Sequence, residues 1–359
     1  MDWVWFFAGL SILIVGAEML VRGGASFAAR VGVSSLVIGL TIVAFGTSSP
    51  EVVVSAKAAL SGDSEIAIGN VVGSNIFNVL FILGVSSLIR PLQVSRQLVR
   101  FDVPVMIGTS ILVLALSLDG VLGKTDGLIL LAGIVVYTVT VIRSARKETN
   151  TGVLREYESE YGLKQRAGSW LKDVVLIAAG LSALVLGARW FVEGAVGIAR
   201  SLGISELVIA LTIVSAGTSM PEVATSIMAS IRKERDIAVG NVVGSNIFNV
   251  LVILGIASLL AKGDGLVVAP GVIDFDLPVM IAVAVACLPI FFTGRTIARW
   301  EGVVFVFYYA AYVLFLVLRS SEHDQLPRMS SAMMSYVVPI TLLTAAVISF
   351  QSRSGKSAE

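Results

Sequence analysis

The chain has 359 residues, of which 56% are hydrophobic and 14% charged, and its mean hydropathy is +0.90. Soluble domains carry about 25% charged residues, so this chain lacks the charge for a water-exposed surface, which excludes a soluble enzyme and a disordered chain. The net charge of +1 excludes a nucleic-acid binder, which needs a basic excess. A single cysteine, Cys287, excludes a disulfide framework. The remaining class is an all-α polytopic membrane protein.

Apolar blocks of about the length that spans a bilayer, roughly 20 residues, predict ten membrane helices. The blocks are 3–22, 36–60, 65–89, 103–118, 127–143, 171–193, 204–231, 237–261, 276–293 and 300–318. An eleventh block, 332–350, predicts an extra C-terminal membrane helix, with an interfacial helix as the alternative. No basic region or cleavage site marks the N-terminus as a signal peptide, so the first block predicts a retained helix.

Basic residues are distributed unevenly between the loops that join these blocks. The odd-numbered loops hold 17 Lys and Arg residues, and the even-numbered loops hold five. Because basic loops stay in the cytoplasm, we expect a multi-pass protein of the cell (inner) membrane. Its N-terminus is expected outside and its central loop, 144–169, in the cytoplasm.

An internal repeat relates the two halves of the chain. Residues 34–89 recur at 205–260 with a constant offset of 171, and 35 of the 56 positions are identical. Because each copy belongs to a unit of five helices, the second copy enters the membrane from the opposite side, which predicts two inverted repeats. A duplication kept only for packing is the alternative, but polar positions are among the best matched. The predicted organisation is an N-terminal repeat over 1–143, a loop over 144–169, an inverted C-terminal repeat over 170–319 and a tail over 320–359.

A Gly-Thr-Ser-x-Pro-Glu motif lies mid-block in each copy, at 46–51 and at 217–222. Proline removes an amide donor and disturbs the carbonyl four residues earlier, so each motif predicts a helix that stops and restarts inside the membrane. The spacing of Ser48 and Glu51 also fits a capping box. Bare backbone at membrane depth is tolerated only beside a cavity or a ligand, so the two breaks predict a binding site.

Glu51 and Glu222 are the carboxylates that these motifs place within the apolar blocks. An ionised carboxylate near the bilayer centre costs about 2.5 kcal/mol or more, and no Lys or Arg stands close to either motif. Each carboxylate therefore needs a proton or a cation. Oxygen-rich surroundings without His or Cys favour a hard cation such as Na⁺ or Ca²⁺. A protonated Glu bonded to a neighbouring helix is the alternative.

A second motif, Gly-Asn-Val-Val-Gly-Ser-Asn-Ile-Phe-Asn, occurs at 69–78 and again at 240–249. Its two glycines, four residues apart, allow close helix approach. The side chains at motif positions two, six and ten share one helix face, which we interpret as the second wall of the cation site. Asn75 and Asn246 leave open a structural role, as hydrogen-bond partners between helices. Outside the motifs, Asp102 and Asp276 precede prolines and predict helix caps.

The paired motifs resemble the α-repeats of the Ca²⁺/cation antiporter superfamily, most closely its prokaryotic sodium/calcium exchanger branch. The resemblance covers about residues 1–319 and both copies of both motifs. It implies a secondary active transporter, not an enzyme, that exchanges Na⁺ for Ca²⁺ by alternating access, with the first and sixth helices sliding over the other eight. It implies Ca²⁺, Na⁺ and the lipid bilayer as partners, without a resident cofactor, a nucleic acid or an obligatory protein partner.

By motif position, the resemblance implies an ion site at the membrane midplane. The Ca²⁺ ligands are expected to be Glu51 and Glu222 with Thr47 and Thr218. The Na⁺ sites are expected to add Ser48, Ser74, Ser219 and Ser245, the backbone carbonyls of Ala44 and Ser215, and Asn78 and Asn249 at the centre. Characterised exchangers often hold an aspartate at the position of Asn249, so this centre has two formal negative charges rather than three.

Three other functions stay open from the residues alone. A H⁺/Ca²⁺ antiporter, or one for another divalent cation, would neutralise the same carboxylates with protons. A cation channel would use the same oxygens without exchange. An intramembrane enzyme would need a catalytic His, Cys or Asp set, whereas the one histidine, His323, lies in the tail.

Overall fold

The computed structural model describes residues 1–147, 170–203, 215–292 and 295–320, together with positions 209 and 213. Helices dominate this part of the chain, because in lipid a helix satisfies its own backbone hydrogen bonds. Most of the predicted central loop and the predicted helix over 332–350 lie outside the described residues.

The helices and strands are named here in chain order. In the first half they are α1 (Asp2–Val31), α2 (Ser35–Ile38), α3 (Ala44–Thr47), α4 (Ser49–Ser61), α5 (Ser64–Phe77), α6 (Gly84–Ile89), β1 (Leu92–Gln93), α7 (Val103–Leu116), β2 (Val121–Gly123) and α8 (Lys124–Lys147). In the described part of the second half they are α9 (Trp170–Ser201), α10 (Ser215–Gly217), α11 (Met220–Ile231), α12 (Arg235–Phe248), α13 (Gly255–Leu260), β3 (Gly265–Val267), α14 (Leu277–Phe292), β4 (Thr296–Ile297) and α15 (Arg299–Ser320).

Segments of π-helix, whose turns are wider than those of an α-helix, connect or precede several of these helices. They are Gly39–Val43, Asn78–Leu83, Leu98–Asp102, Asn249–Leu254 and Val272–Asp276. Two pairs occupy equivalent positions in the two repeats, since one pair begins at Asn78 and Asn249 and the other ends at Asp102 and Asp276. Wide turns of this kind are frequent at functional sites, and neither motif predicted them.

The described residues contain seven helices that are long and apolar enough to cross a membrane, and the bent pair Ser35–Thr47 and Ser49–Ser61 makes an eighth. The chain is therefore a multi-span membrane protein. The two remaining predicted blocks, 204–231 and 276–293, each include residues that the structure does not describe. The count of ten helices stays a prediction.

The repeat-equivalent helices α1 and α9 pack against each other antiparallel. Glycines spaced by seven residues form the contact: Gly9, Gly16 and Gly23 on α1, and Gly180, Gly187 and Gly194 on α9. A Cβ on Gly16 would lie 2.9 Å from the carbonyl oxygen of Gly180, and one on Gly187 would lie 2.7 Å from the amide nitrogen of Leu13. A larger residue therefore cannot sit there without moving the backbone of the partner helix.

The centre of the molecule lies between α5 and α12, the helices that carry the second motif. Every residue of α12 from Ile237 to Phe248 is buried. Two short antiparallel strand pairs also join the halves, β1 with β4, in which Leu92 faces Ile297, and β2 with β3, in which Leu122 faces Leu266. The two repeats are thus held together along a shared core.

Candidate cation-binding site

The first motif breaks its helix as the proline predicts. α3 ends at Thr47, α4 begins at Ser49 with Pro50 in its first turn, and the two parts of the helix meet at an angle of 46°. In the second copy, α11 begins at Met220, again with a proline in the first turn. The break thereby leaves the Glu of each motif in the first turn of the restarted helix, beside the other repeat.

The serine before each break bonds to the carboxylate of the opposite repeat. The Ser48 hydroxyl donates to Glu222 Oε1 at 2.8 Å, and the Ser219 hydroxyl donates to Glu51 Oε1 at 2.9 Å. Neither serine caps its own helix with its side chain, so the capping-box interpretation of Ser48 and Glu51 is wrong. Each hydroxyl instead donates to a buried carboxyl group, because a buried acceptor left without a hydrogen bond destabilises the fold.

The predicted serines of the second motif lie beside the same carboxylates. Ser245 donates to Glu222 Oε1 at 3.5 Å, and the Ser74 hydroxyl lies within hydrogen-bond distance of the Ser219 hydroxyl, at 3.2 Å. Both carboxylate side chains are 1% exposed. The structure therefore brings the predicted glutamates and serines of both repeats into one buried cluster.

Four asparagines form a layer next to this cluster. Asn78 donates to Asn246 Oδ1 and Asn249 donates to Asn75 Oδ1, each at 3.0 Å. Asn75 and Asn246 also donate to each other's backbone carbonyl, each at 3.2 Å. These two residues thus bond helix to helix, as the structural alternative for them predicted.

Asn70 and Asn241, from the polar face of the second motif, connect the repeats on either side of the cluster. Thr47 donates to Asn241 Oδ1 at 3.1 Å, and Thr218 donates to Asn70 Oδ1 at 3.4 Å. Each amide group also donates to a serine hydroxyl on the Glu-bearing helix, Ser55 or Ser226, at 2.9 and 3.0 Å. The predicted site omitted these two pairs, although the match of Ser55 with Ser226 between the copies was a usable signal.

Four buried oxygen atoms of the cluster have no hydrogen-bond partner within the part of the chain that the structure describes. They are Glu51 Oε2, Glu222 Oε2, Asn78 Oδ1 and Asn249 Oδ1. Unsatisfied buried acceptors are rare and costly. These four are all oxygens, come in repeat-equivalent pairs and include both carboxylates, and this donor set suits a hard cation. No group of three or more His, Cys, Asp or Glu occurs among the described residues, so two carboxylates supply the charge.

The two backbone carbonyls named in the prediction have different outcomes. The Ala44 carbonyl accepts from the Ser48 amide at 3.1 Å. The Thr47 hydroxyl lies 3.4 Å from the same carbonyl, but its single proton is donated to Asn241 Oδ1. Ser215 begins α10, and its side chain lies outside the described residues.

Asp102 and Glu18, two acids outside the motifs, have partners away from the cluster. Asp102 is fully buried and accepts a hydrogen bond from the Tyr137 hydroxyl at 2.9 Å. It makes no side-chain cap, so the capping interpretation of Asp102 is wrong: in the π-helix Leu98–Asp102 its carboxylate points to α8 instead. Glu18 pairs with Arg22 and Arg232. These contacts are structural links rather than parts of the site.

Comparison with known proteins identifies the family. The family model described as "Sodium/calcium exchanger protein" matches residues 1–143 and 172–318. The chain is 36% identical to the putative antiporter CaxA of Alkalimonas amylolytica, over 86% of this chain and 96% of that protein. It is 33% identical to the sodium/calcium exchanger MaX1 of Methanosarcina acetivorans, again over 86% and 96%.

A solved structure of the sodium-calcium exchanger NCX_Mj, soaked with Na⁺ and Sr²⁺, has the same fold. It superposes with a TM-score of 0.74 at 30% identity, over 87% of this chain and 97% of that one. The resemblance predicted from the paired motifs is confirmed, and the chain belongs to the sodium/calcium exchanger family of antiporters.

Proposed function

We propose that this chain exchanges Na⁺ for Ca²⁺ across the cell (inner) membrane by alternating access. The observation that carries the proposal is the set of four unsatisfied oxygens on Glu51, Glu222, Asn78 and Asn249. Their arrangement in repeat-equivalent pairs gives one central position that both halves of the molecule line.

The charge of the cluster explains why ion exchange follows from this geometry. Two ionised carboxylates buried together repel each other strongly at low dielectric, and among the described residues no Lys or Arg forms an ion pair with either. One Ca²⁺, or two or more Na⁺, would neutralise the pair. Because the ions compete for the same oxygens, binding of one displaces the other, and the empty charged site resists crossing.

The ligands in this proposal are the residues that the sequence analysis predicts. Ca²⁺ binds the carboxylates of Glu51 and Glu222, and Thr47 and Thr218 complete its shell. The Na⁺ positions use Ser48, Ser74, Ser219, Ser245, Asn78, Asn249 and the carbonyls of Ala44 and Ser215. The Ala44 carbonyl accepts from the Ser48 amide and would offer its second lone pair to Na⁺.

The proposed topology is two inverted five-helix repeats with the N-terminus outside, followed by an eleventh spanning helix. The antiparallel packing of the equivalent helices α1 and α9 supports inversion, because a helix and its equivalent run in opposite directions only if the second repeat is turned over. The close glycine contact between α1 and α9 also supports movement of these two helices as one unit.

The two flanks of the site differ in exposure, which supports one-sided access. Thr47 and Asn241 are fully buried, whereas their equivalents Thr218 and Asn70 are half-buried and Gly69 is exposed. In the proposed topology the start of α5 lies at the outer surface. This conformation is therefore one in which ions reach the site from outside.

The deciding experiment is ⁴⁵Ca²⁺ uptake into proteoliposomes loaded with Na⁺ and diluted into Na⁺-free buffer. We expect saturable uptake that an imposed Na⁺ gradient drives and that collapse of this gradient abolishes. Uptake that follows a pH gradient and ignores Na⁺ would replace the proposal with H⁺/Ca²⁺ antiport. Unitary currents in planar bilayers would replace it with a channel.

A further inference from the structure

Two surface crevices, separate from the cation site, occupy repeat-equivalent positions. One is a cavity of about 600 Å³ whose lining includes Gln93 and Arg235. The other is a cavity of about 450 Å³ whose lining includes Val267 and Ser64. Ser64 and Arg235 are related by the repeat offset of 171, and β1, which holds Gln93, is the counterpart of β3, which holds Val267.

The equivalent crevices carry opposite charge. Arg90, Arg235 and Arg299 line the first, and no acidic residue does within the described parts of the chain. Asp63 and Glu65 line the second, where no basic residue is found among those that the structure describes. The motifs of the candidate cation site are nearly identical in the two repeats. The difference in charge is therefore confined to the crevices, which lie where the repeats face the two sides of the membrane.

The guanidinium groups of the first crevice, hereafter the arginine crevice, are available to an anion. Among the described residues none of the three arginines forms an ion pair within 4 Å. Arg235 Nε is buried and has no hydrogen-bond partner there, and Arg299 donates a long hydrogen bond of 3.4 Å to the Ile89 carbonyl. Asp236, the acid beside Arg235 in the chain, interacts electrostatically with that arginine but is not among the described residues that line the cavity.

The rest of the lining is apolar and faces the region where lipid lies. Ile89, Pro91 and Ile231 line the crevice, and the side chains of Ile89 and Ile231 are 38% and 55% exposed. The crevice lies where α6 and α11 end and where α12 and α15 begin, at the ends of membrane-embedded helices. Its loops are among the basic ones that the positive-inside rule assigns to the cytoplasm.

We propose that the arginine crevice binds the phosphate headgroup of an anionic phospholipid of the inner leaflet. Arginine forks match phosphate oxygens, basic pockets between membrane helices on the cytoplasmic side bind anionic headgroups, and the apolar rim receives the start of the acyl chains. A free anion would gain nothing from this rim. The acidic equivalent on the other face repels the same headgroup.

The test is native mass spectrometry of the full chain in detergent, titrated with phosphatidylglycerol and separately with phosphatidylcholine. We expect one phosphatidylglycerol to bind in preference to phosphatidylcholine. The variant R90Q/R235Q/R299Q should weaken it by about a hundredfold, since each surface arginine contributes about fivefold. The matched control R96Q/R100Q/R295Q removes three exposed arginines of the same face outside the crevice and should change binding by less than about twofold.

Further arms keep the proposal falsifiable. If the triple variant does not fold, R299Q alone, at an exposed side chain, should weaken phosphatidylglycerol binding by about fivefold. Equal weakening in the crevice variant and the control would reduce the effect to general surface charge and overturn the proposal. Displacement of the lipid by an equal concentration of inorganic phosphate would overturn it in favour of a soluble anion. The readout is independent of ion exchange.

Discussion

The two copies of the repeat are alike at the centre of the molecule and different at its edges. At the centre, equivalent bonds have nearly equal lengths, 2.8 and 2.9 Å for the serine–glutamate pairs and 3.0 Å for both asparagine pairs. At the edge, the sequence 62–65, Gly-Asp-Ser-Glu, stands opposite 233–236, Lys-Glu-Arg-Asp. Residues that bond across the two repeats have to be the same in both copies. Ser48 bonds to Glu222, and the equivalents of these two residues, Ser219 and Glu51, bond to each other. Residues at the edge meet different surroundings on each side of the membrane.

The largest effect is expected at the matched centre, from Glu51→Gln and Glu222→Gln made separately. Each change removes one of two carboxylates and keeps the shape of the side chain, so Ca²⁺ loses half of its charge compensation. We expect Na⁺-driven ⁴⁵Ca²⁺ flux to fall by about a hundredfold or more in both variants, equivalent to about 2.7 kcal/mol or more. Glu65→Gln, at an exposed acid of the same repeat, is the control and should keep full flux. If one variant lost much more flux than the other, the two glutamates would not play equivalent roles in Ca²⁺ transport.

The next effect should reveal the difference between the two flanks of the site. Thr218→Cys and Thr47→Cys are repeat-equivalent changes in a Cys287→Ala background, and only the first position is partly exposed. A membrane-impermeant methanethiosulfonate reagent added from outside should modify Cys at 218 at least about tenfold faster than Cys at 47, since a buried thiol reacts only when the structure opens. Equal rates would contradict the proposed outward-open conformation.

Equal but smaller effects are expected where α1 meets α9. Gly16→Ala and Gly187→Ala each place a methyl group within 3 Å of the partner backbone, and such overpacking costs about 1–3 kcal/mol. Both variants should therefore melt several degrees lower in detergent than the unmodified chain. Gly108→Ala, where the added methyl group meets nothing within 4 Å of the described residues, is the control. An unchanged melting temperature in either test variant would mean that the two helices separate easily.

The sequence predicted most residues of the candidate cluster because the determinants of that cluster are local. Pro50 and its equivalent break a helix because the proline ring clashes with the preceding turn and proline has no amide hydrogen. This effect does not depend on residues distant in the sequence. The matched motifs named both carboxylates and the hydroxyls and amides around them, since a repeat displays which polar positions are kept. The eight spans of the described residues follow from apolar length alone, and the two further predicted blocks include residues outside the described part.

What the sequence did not predict depends on contacts between distant residues. The pattern Ser48-x-x-Glu51 predicts a cap because a capping box is recognised from four consecutive residues, but the partner of Ser48, Glu222, lies 174 positions away. The position of Asp102 before a proline likewise predicts a cap, but its partner Tyr137 lies on another helix. The π-helical turns at Asn78 and Asn249 widen the helix where the amides must reach across the molecule. A hydroxyl or carboxylate can form a hydrogen bond with any of several groups, and tertiary packing determines which of these groups lies within reach.

The smallest effect should come from the unmatched edge, at Glu234 between α11 and α12. Burial, and then the charge of Asp236, raises the pKa of Glu234 from its ordinary value of 4.5 to about 7, against the opposing hydrogen bond from Ser35. The folded chain therefore holds this proton up to a higher pH than the unfolded chain does. Its stability should fall as pH rises from about 4.5 through about 7.

Glu234→Gln removes this dependence by keeping the side chain neutral. After allowance for solvent screening of a half-buried group, we expect about 1 kcal/mol of stabilisation at pH 8 and less at pH 6, read as a melting temperature higher by about 2 °C in detergent. Asp63→Asn changes the exposed repeat equivalent and should shift neither value. A melting-temperature difference between pH 6 and pH 8 that is the same in Glu234→Gln and the unmodified chain would place the ionised carboxylate in water. The two edges would then differ in sequence but not in electrostatics.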